Sequence, residues 1–226
     1  MVDGFVKCAA AGIKVQVADA VFNAKQIMDK AKECAARGAK IIVFGELSVS
    51  ASTCGDLFFQ PKLISACEEA VKEIAAFTKD MDAVLFAGVP FVNRGKLYNT
   101  AVAIAGGKIL GIVPKTNISG NSDLWDARYF TPGEALVTEV VYAGQMTGFG
   151  TNQLFETKEG ICIGCEIGQD LEAMMNPATY HAMAGANIIV NLNASCELVD
   201  CTRRRRQSVL CASDRLLCGY VMASAG

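Results

Sequence analysis

Histidine is almost absent from this chain of 226 residues, in which His181 is the only one. Hydrolysis by a Ser–His or Cys–His pair would therefore depend on this single side chain. His181 falls in a short predicted helix beside Ala182 and Ala184, a setting more typical of a packed or surface histidine than of a general base. We therefore expect chemistry that does not use histidine.

Long apolar runs, a leader sequence and nucleotide-binding motifs are also missing. No run reaches the roughly 18 residues that a membrane span needs, and the amino terminus has no signal-peptide pattern. Neither a Walker nor a Rossmann glycine pattern occurs. The formal net charge of −2 provides no broad basic field for nucleic acid. These absences predict a cytoplasmic protein without a cofactor, a membrane contact or a nucleic-acid partner.

The chain does contain many apolar residues (52%) and ten cysteines. The apolar content supports one domain over residues 1–226 with a sizeable core. The cysteines are dispersed and several stand in apolar segments, so we expect free and mostly buried thiols in a reducing compartment. Cys162 and Cys165 have the spacing of a zinc or redox pair, but within a strand they cannot turn to one point. No metal site is predicted.

The densest charge is an arginine run over residues 203–206. We interpret it as the first turn of a helix, with arginines that face solvent or pair with neighbouring acids. The alternative is that some of these arginines bind a carboxylate, for which the planar guanidinium fork is suited.

Apolar periodicity alternates between strand and helix along the chain. A strand over residues 5–17, a helix over 23–37 and a strand over 40–45 form a βαβ unit, which favours a sheet covered by helices. Asn23 and Gln26 have the spacing of a capping box at the start of that helix.

The rest of the chain predicts further strands and helices around one long loop. Residues 97–105 and 108–113 flank Gly106 and Gly107, a strong hairpin signal, so the sheet must be mixed. The turn-rich stretch 117–133 is predicted to be a packed loop because it carries aromatic residues. The other predicted helices begin near Pro61 or cover residues 177–185 and 204–217, and the other predicted strands cover residues 83–89, 137–142, 153–155, 186–192 and 219–224.

Polar side chains follow apolar strands at three places. Glu46 and Lys115 each follow one predicted strand, and an elbow at residues 165–170 follows the apolar run that begins at Ile161. A carboxylate, an ammonium and a thiol at one sheet edge would supply a general base, an electrostatic stabiliser and a nucleophile. Each alone is more often a surface group, so the prediction depends on all three meeting.

A more specific signal comes from six segments: FGELSVSASTCGDLF (44–58), PKTN (114–117), WDARYFTPG (125–133), EIGQDL (166–171), NLNASCELV (191–199) and GYVMASAG (219–226). Together they resemble the nitrilase, or carbon–nitrogen hydrolase, superfamily, and within it the glutaminase domain of glutamine-dependent NAD synthetases. The resemblance covers nearly the whole chain in order. It implies an α/β fold, the nitrilase-type α-β-β-α sandwich with mixed sheets.

The resemblance also implies a Glu–Lys–Cys triad. In this family the glutamate, here Glu46, is the general base, and the lysine, here Lys115, stabilises the tetrahedral intermediate. The cysteine forms a thioester with the acyl group of glutamine while ammonia leaves.

The cysteine of this triad is missing from its expected place. The family's third motif reads approximately EICEDLW, and laying residues 166–172 on it without a gap places Gly168 on the nucleophile. In an alternative register Cys165 takes that role, but this register loses the neighbouring matches and needs an insertion. Cys165 and Gly168 are three positions apart, and side chains of a strand alternate between its two faces. Cys165 therefore lies on the face opposite to Gly168, where a small buried residue is expected.

Other departures from the family surround the same pocket. They are Gly45 for a proline, Ala51 and Ser52 for a Gly-Tyr pair, Asn117 and Asn121 for tyrosines, Gln169 for a glutamate and Cys201 for an arginine. Ser195 matches the family's substrate-side serine. We therefore name Asn121, Gln169 and Ser195 as the predicted substrate-binding residues.

These features predict a glutaminase-type, ammonia-supplying domain of an NAD synthetase whose activity is impaired at Gly168. The alternative is a catalytically inactive nitrilase-fold scaffold or regulatory subunit. The resemblance also implies a homo-oligomer, glutamine as the ligand if the chain is active, and a possible synthetase partner. Because the family's glutaminase domain continues beyond the point matched by residue 226, and no synthetase domain is present, the chain is expected to be truncated.

Overall fold

The computed structural model describes residues 4–118 and 126–225, and its helices and strands alternate along much of the chain. The helices are α1 (Ala20–Ala36), α2 (Pro61–Phe77), α3 (Asp126–Tyr129), α4 (Pro177–Met183) and α5 (Cys201–Leu216). The strands are β1 (Cys8–Ala11), β2 (Ile41–Phe44), β3 (Val84–Asn93), β4 (Lys96–Ala105), β5 (Lys108–Pro114), β6 (Thr138–Tyr142), β7 (Gln145–Phe149), β8 (Phe155–Glu156), β9 (Cys162–Ile167), β10 (Ile188–Asn193) and β11 (Gly219–Ser224).

The strands form two mixed sheets. The larger sheet has the order β1-β2-β3-β4-β5-β7-β6, and the smaller sheet has the order β11-β10-β9-β8. In the larger sheet β1, β2 and β3 are parallel, whereas β3, β4 and β5 are antiparallel. In the smaller sheet β11, β10 and β9 are parallel, and β8 is antiparallel to β9. The predicted hairpin at Gly106 and Gly107, and with it the mixed sheet, is confirmed.

Apolar side chains of β2 separate two layers of the core, because successive residues of a strand point to opposite faces. Ile42 and Phe44 pack with the buried face of α1 and α2. Ile41 and Val43 point the other way, into a layer that they share with β9 and β10 of the smaller sheet, where Ile163 is one of their neighbours. The two sheets therefore pack face to face with helices outside.

Helix α4 covers the outer face of the smaller sheet and closes the sandwich. Ala178 of α4 packs with Ile189 of β10 and with Cys218, just before β11. An added Cβ on Gly164 would lie 2.7 Å from the Cβ of His181, so this glycine admits the histidine ring. His181 Nε2 lies 2.8 Å from the carbonyl oxygen of Thr151, and burial lowers the pKa of His181. The histidine is a packed residue, and the predicted α-β-β-α sandwich is confirmed.

The predicted capping box at Asn23 is wrong. Helix α1 begins one turn earlier, and the side chain of Asp19 accepts the cap hydrogen bond from the Phe22 N–H at 2.9 Å. Asn23 is buried inside the helix, where its amide donates to the carbonyl oxygens of Gln16 at 2.8 Å and of Val49 at 3.0 Å. Its role is to hold the segment before α1 and the loop after β2 together.

Other boundaries also differ from the predicted ones. The first strand is confined to Cys8–Ala11, and the predicted loop over 117–133 contains the short helix α3. Strand β7, absent from the prediction, follows β6 through a two-residue turn in which Ala143 and Gly144 have φ of +50° and +75°. None of the helices in the described ranges is long and apolar enough to cross a bilayer.

Cys165 lies in the layer between the sheets and is fully buried, whereas Cys211 is exposed on α5. Cys165→Ser places a hydroxyl in an apolar environment, so we expect the free energy of unfolding to fall by about 1–3 kcal/mol. The matched change Cys211→Ser should alter it by less than about 0.5 kcal/mol. Urea denaturation of both variants measures the difference, and equal values would contradict the buried position of Cys165.

Candidate active site

Glu46 and Lys115 meet at one edge of the larger sheet. Glu46 follows β2 and Lys115 follows β5, and both side chains are buried. Glu46 Oε1 accepts hydrogen bonds from Lys115 Nζ at 2.7 Å and from Asn99 Nδ2 at 2.6 Å. Lys115 Nζ also donates to Asp126 Oδ2 at 2.6 Å. The site therefore holds two carboxylates around one ammonium.

Burial and the neighbouring charges act in opposite directions on these groups. Burial raises the pKa of Glu46, and the negative charge of Asp126 adds to this effect, while Lys115 and Asn99 lower it; the net shift is upward. For Lys115, burial lowers the pKa, but the charges and hydrogen bonds of Glu46 and Asp126 outweigh it and the net shift is also upward. Lys115 therefore stays protonated. The raised pKa of Glu46 makes its carboxylate a stronger base than an ordinary glutamate carboxylate.

Gly168 faces this pair from the end of β9. Its φ of +51° lies in the left-handed region that favours glycine. A Cβ added to Gly168 would lie 2.7 Å from Glu46 Oε2 and 3.4 Å from Lys115 Nζ. The structure thus brings together Glu46, Lys115 and position 168, as the sequence predicts, and the Glu46 carboxylate extends into the space that a side chain at 168 would need.

Two sets of hydrogen bonds fix the elbow at Gly168. In the first set the acceptor is Asp170. The carboxylate of Asp170 accepts from the N–H groups of Thr116 at 3.0 Å, Asn117 at 2.6 Å and Ile167 at 3.1 Å. Because Thr116 directly follows Lys115, these bonds hold the elbow and the lysine segment in a constant relation.

The second set runs from Gly168 to a buried glutamate, Glu166. The Gly168 N–H donates to Asn191 Oδ1 at 3.1 Å, and Asn191 Nδ2 donates to the oxygen of Tyr220 at 3.0 Å. The Tyr220 hydroxyl donates in turn to Glu166 Oε1, and Glu166 Oε2 accepts from the N–H of Ala178 at 3.1 Å. Burial raises the pKa of Glu166 to about 7, so this network contains a carboxyl group that titrates near neutrality.

Cys165 does not reach the acid–lysine pair. It points into the layer between the sheets with no exposed surface. Burial, with the negative charges of Glu166 and Asp170, raises the pKa of its thiol well above the usual value. A buried, protonated thiol on the wrong face of β9 is a poor nucleophile, so the geometry does not favour the register in which Cys165 replaces Gly168.

A cavity of about 140 Å³ opens beside the pair. Its lining residues are Glu46, Lys115, Asp126, Gly168, Gln169, Asn193, Ala194, Ser195, Cys196, Leu198 and Cys201. Of the predicted substrate-binding residues, Gln169 and Ser195 line the cavity, and Asn121 lies outside the described residues. The Ser195 hydroxyl donates to Asn193 Oδ1 at 2.7 Å, which orients both side chains at the cavity wall.

Three residues of the site were missed by the sequence analysis. Asp126 is the second residue of the WDARYF segment, and its carboxylate in a stretch with three aromatic residues was a signal for a buried ion pair. Asn99 and Asn193 are amides inside apolar strands, and a polar residue in a buried strand usually has a specific partner. Here Asn99 holds Glu46, and the carbonyl oxygen of Asn193 accepts from the N–H of Glu46 at 3.2 Å and from that of Ala225 at 2.7 Å.

Two departures from the family have a structural account. A Cβ on Gly45 would lie 2.7 Å from backbone atoms of Ala225, so glycine lets the end of β11 approach the residue before Glu46. Ala51 stands where the family has glycine, and its φ is +73°. A left-handed conformation costs a residue with a side chain about 1–2 kcal/mol, which is the reason that glycine is favoured at such a position.

Within residues 4–118 and 126–225, no group of three or more His, Cys, Asp or Glu side chains is arranged to hold a metal ion. Lys115 occupies the place between the two carboxylates where a cation would bind.

A helix-covered double sheet, with a carboxylate–ammonium cluster at the strand ends, defines a protein of the nitrilase type. The sequence pattern of the carbon–nitrogen hydrolases matches residues 7–213. The chain therefore belongs to the carbon–nitrogen hydrolase family.

Its relatives include glutamine-dependent NAD(+) synthetases. That of Mycobacterium tuberculosis is 33% identical over 225 residues, which cover 99% of this chain and 33% of the relative. That of Aquifex aeolicus is 30% identical over 186 residues, which cover 82% of this chain and 29% of the relative. The chain thus spans about a third of the length of the curated relatives it matches, and it is related to the glutaminase part of these proteins.

Solved structures agree with this assignment. The glutamine-dependent NAD(+) synthetase from Cytophaga hutchinsonii has a TM-score of 0.87 and 25% identity, over 97% of this chain and 36% of that chain. A mutant of the Nesterenkonia amidase from the nitrilase superfamily has a TM-score of 0.75 at 17% identity, over 97% of this chain and 76% of that chain. At this level of identity, the similarity to the amidase shows only that the two proteins share a fold.

The raised pKa of Glu166 makes stability depend on pH. Its stabilising contribution is fully present below its ordinary pKa of 4.5 and is lost as the pH rises to about 7, because the unfolded chain releases the proton first. The shift corresponds to a decrease on the order of 3 kcal/mol in the free energy of unfolding. Glu166→Gln should remove this component.

Denaturation at pH 4.5, 6 and 7.5 checks this prediction. The difference in unfolding free energy between the wild type and Glu166→Gln should grow in favour of the variant as the pH rises. A difference that is constant over this range would show that Glu166 ionises normally in the folded protein.

Proposed function

We propose that this chain is a glutaminase-type carbon–nitrogen hydrolase domain that holds a carboxamide beside Glu46 and Lys115 but lacks the covalent route to hydrolysis. The observation that carries this proposal is Gly168. It stands with φ of +51° beside both charged groups, at the place where the family's nucleophile is expected, and it has no side chain.

The chemistry of the covalent route shows what glycine removes. A thiol would lose its proton to Glu46 and attack the amide carbon, and Lys115 would stabilise the oxyanion of the tetrahedral intermediate. Glu46 would then return the proton to the amide nitrogen, so that the C–N bond breaks, ammonia leaves and a thioester remains for water to hydrolyse. Without the sulfur, Glu46 and Lys115 can only polarise the amide and orient water. Loss of the nucleophile from a covalent catalyst costs on the order of 10⁶ in turnover.

The position of Glu46 supports the same proposal. Its Oε2 atom would be 2.7 Å from any Cβ at position 168, and its Oε1 atom is held by Lys115 and Asn99. The Glu46 carboxylate occupies the space beside Gly168, so a side chain introduced at position 168 must displace it.

The relatives named above make glutamine the first amide to test and a synthetase the first partner to test. Their names describe glutamine-dependent enzymes about three times as long as this chain. The ten cysteines form no disulfide bonds, which supports a reducing compartment such as the cytoplasm. The prediction that most of them are buried is wrong, since four are: Cys54, Cys67, Cys165 and Cys218.

Gly168→Cys should restore a nucleophile where the wild type has none. We expect the wild type not to release ammonia from glutamine or from a simple amide, and Gly168→Cys to do so at least tenfold faster than the background. Gly168→Ala is the matched control, because it adds the same Cβ strain without a thiol. An assay of ammonia release, with iodoacetamide labelling of the intact proteins, measures both properties.

Two results would contradict the proposed function. The first is rapid hydrolysis by the wild type together with stoichiometric labelling at Cys165 that Cys165→Ala abolishes, which would establish the alternative register. The second is hydrolysis by Gly168→Ala equal to that of Gly168→Cys, which would exclude the thiol as the cause of the gain.

A second function, as a scaffold or regulatory subunit, is favoured by helix α5. Within this helix, which lies wholly in the described part of the chain, Ala212 alone is buried. Leu210 and Leu217 are exposed by 60% and 90%, and Met183 of the adjacent α4 is exposed by 81%. Exposed apolar side chains on two neighbouring helices suit a partner surface, and we propose that this partner is a second copy of the chain.

Leu210→Glu should weaken that association. We expect the wild type to sediment as a dimer or larger assembly, and Leu210→Glu to raise the dissociation constant at least tenfold by placing a charge in an apolar interface. Val141→Glu is the matched control, since Val141 is 71% exposed on β6 at the edge of the larger sheet. A monomeric wild type, or an equal effect of both variants, would contradict the proposed interface.

A further inference from the structure

The cavity beside Glu46 has no positive charge available for a carboxylate. Lys115 is the one cationic side chain among its described lining residues, and it already contacts Glu46 at 2.7 Å and Asp126 at 2.6 Å. One ammonium against two carboxylates gives a net charge of −1. If one carboxyl group is protonated the charge is zero, so the lining is not positive in either state.

Cations elsewhere do not supply the missing charge. The arginines at the start of α5 do not line the cavity, and two of them are paired with acids: Arg203 with Asp200 at 2.7 Å and Arg205 with Glu197 at 2.8 Å. Residues 119–125, which the structure does not describe, read SGNSDLW and contain no Lys, Arg or His. A carboxylate entering the cavity would lose its water without gaining a counter-ion.

Both hydrogen-bond acceptors and N–H donors remain available in the cavity. Gln169 Oε1 is buried and has no hydrogen-bond partner among the described residues. Glu46 Oε2 lies beside Gly168, while its other oxygen is occupied. Lys115 has three N–H donors, of which two are used. The cavity therefore suits a group with one acceptor oxygen and an N–H₂ donor.

Part of the cavity wall is apolar and includes Ala194, Leu198 and Cys201. Leu198 is 60% exposed, so it lies at the solvent side of this wall, the mouth of the cavity. Such a wall stabilises a hydrocarbon chain by burying its surface and offers little to a carboxylate.

We propose that the ligand of this cavity is a small carboxamide that carries no carboxylate, such as a short aliphatic amide. This inference depends on the proposed function, which places a carboxamide beside Glu46 and Lys115. The amide N–H₂ group donates to Glu46 Oε2 and Gln169 Oε1, the carbonyl oxygen accepts from Lys115, and the alkyl chain contacts the apolar mouth. Ligands with a carboxylate, glutamine included, bind more weakly.

Titration of the full chain with matched ligands tests this inference. Butyramide is the neutral ligand, and 4-carbamoylbutanoate is an amide of similar width that ends in a carboxylate; glutamine is the third ligand. Ligand-observed NMR gives each Kd. We expect butyramide to bind at least tenfold more tightly than 4-carbamoylbutanoate.

A pair of charge variants tests the physical cause. Leu198 lines the mouth and is 60% exposed, whereas its neighbour Val199 is 99% exposed and does not line the cavity. Leu198→Arg should lower the ratio of the 4-carbamoylbutanoate Kd to the butyramide Kd at least fivefold, because it adds a counter-ion for the carboxylate and removes an apolar contact from butyramide. Val199→Arg adds the same charge outside the cavity and should change neither ligand.

Each result has one meaning. If the wild type binds 4-carbamoylbutanoate or glutamine as tightly as butyramide, the inference is wrong while the proposed carboxamide site stands. If none of the three ligands binds, the proposed site falls and the inference falls with it. Equal effects of Leu198→Arg and Val199→Arg would overturn the account based on the cavity lining.

Discussion

The ammonium of Lys115 is the interaction on which the site depends. Two buried carboxylates, Glu46 and Asp126, come from different parts of the chain, and both accept hydrogen bonds from this cation. Removing one member of a buried ion pair typically costs about 3–5 kcal/mol, because the remaining charge is left without a partner. The cluster therefore joins the ends of β2 and β5 to α3, and through Asn99 it also includes β4.

Hydrogen bonds from buried side chains fix the backbone around this cluster. Asp170 ties the elbow to the lysine segment, and Asn191 holds Gly168 by both its N–H and its carbonyl oxygen. Buried polar groups of this kind stabilise one another, and losing any of them leaves its partners unsatisfied. The network therefore fixes the backbone of the elbow independently of the side chain at position 168.

The sequence predicted most of the fold, because strand and helix periodicity alternate clearly and six segments resemble one superfamily. It predicted the meeting of Glu46, Lys115 and position 168 for the same reason. It missed β7, since the tight turn before it has alanine at a position with positive φ, where glycine or asparagine is the usual signal. It misread Asn23, because an asparagine near a helix start resembles a cap, and only the tertiary fold shows that its amide bonds to other segments.

The carbonyl oxygen of Asn193 accepts hydrogen bonds from two directions, the N–H of Glu46 in the larger sheet and that of Ala225 after β11 in the smaller one. Because the two hydrogen bonds share one acceptor oxygen, they couple the positions of the two sheets at this point. Sliding one sheet past the other would stretch one of these bonds and shift the Glu46 carboxylate with it. The position of Glu46 is therefore tied to that of Ala225, just after β11, through a single oxygen atom of Asn193.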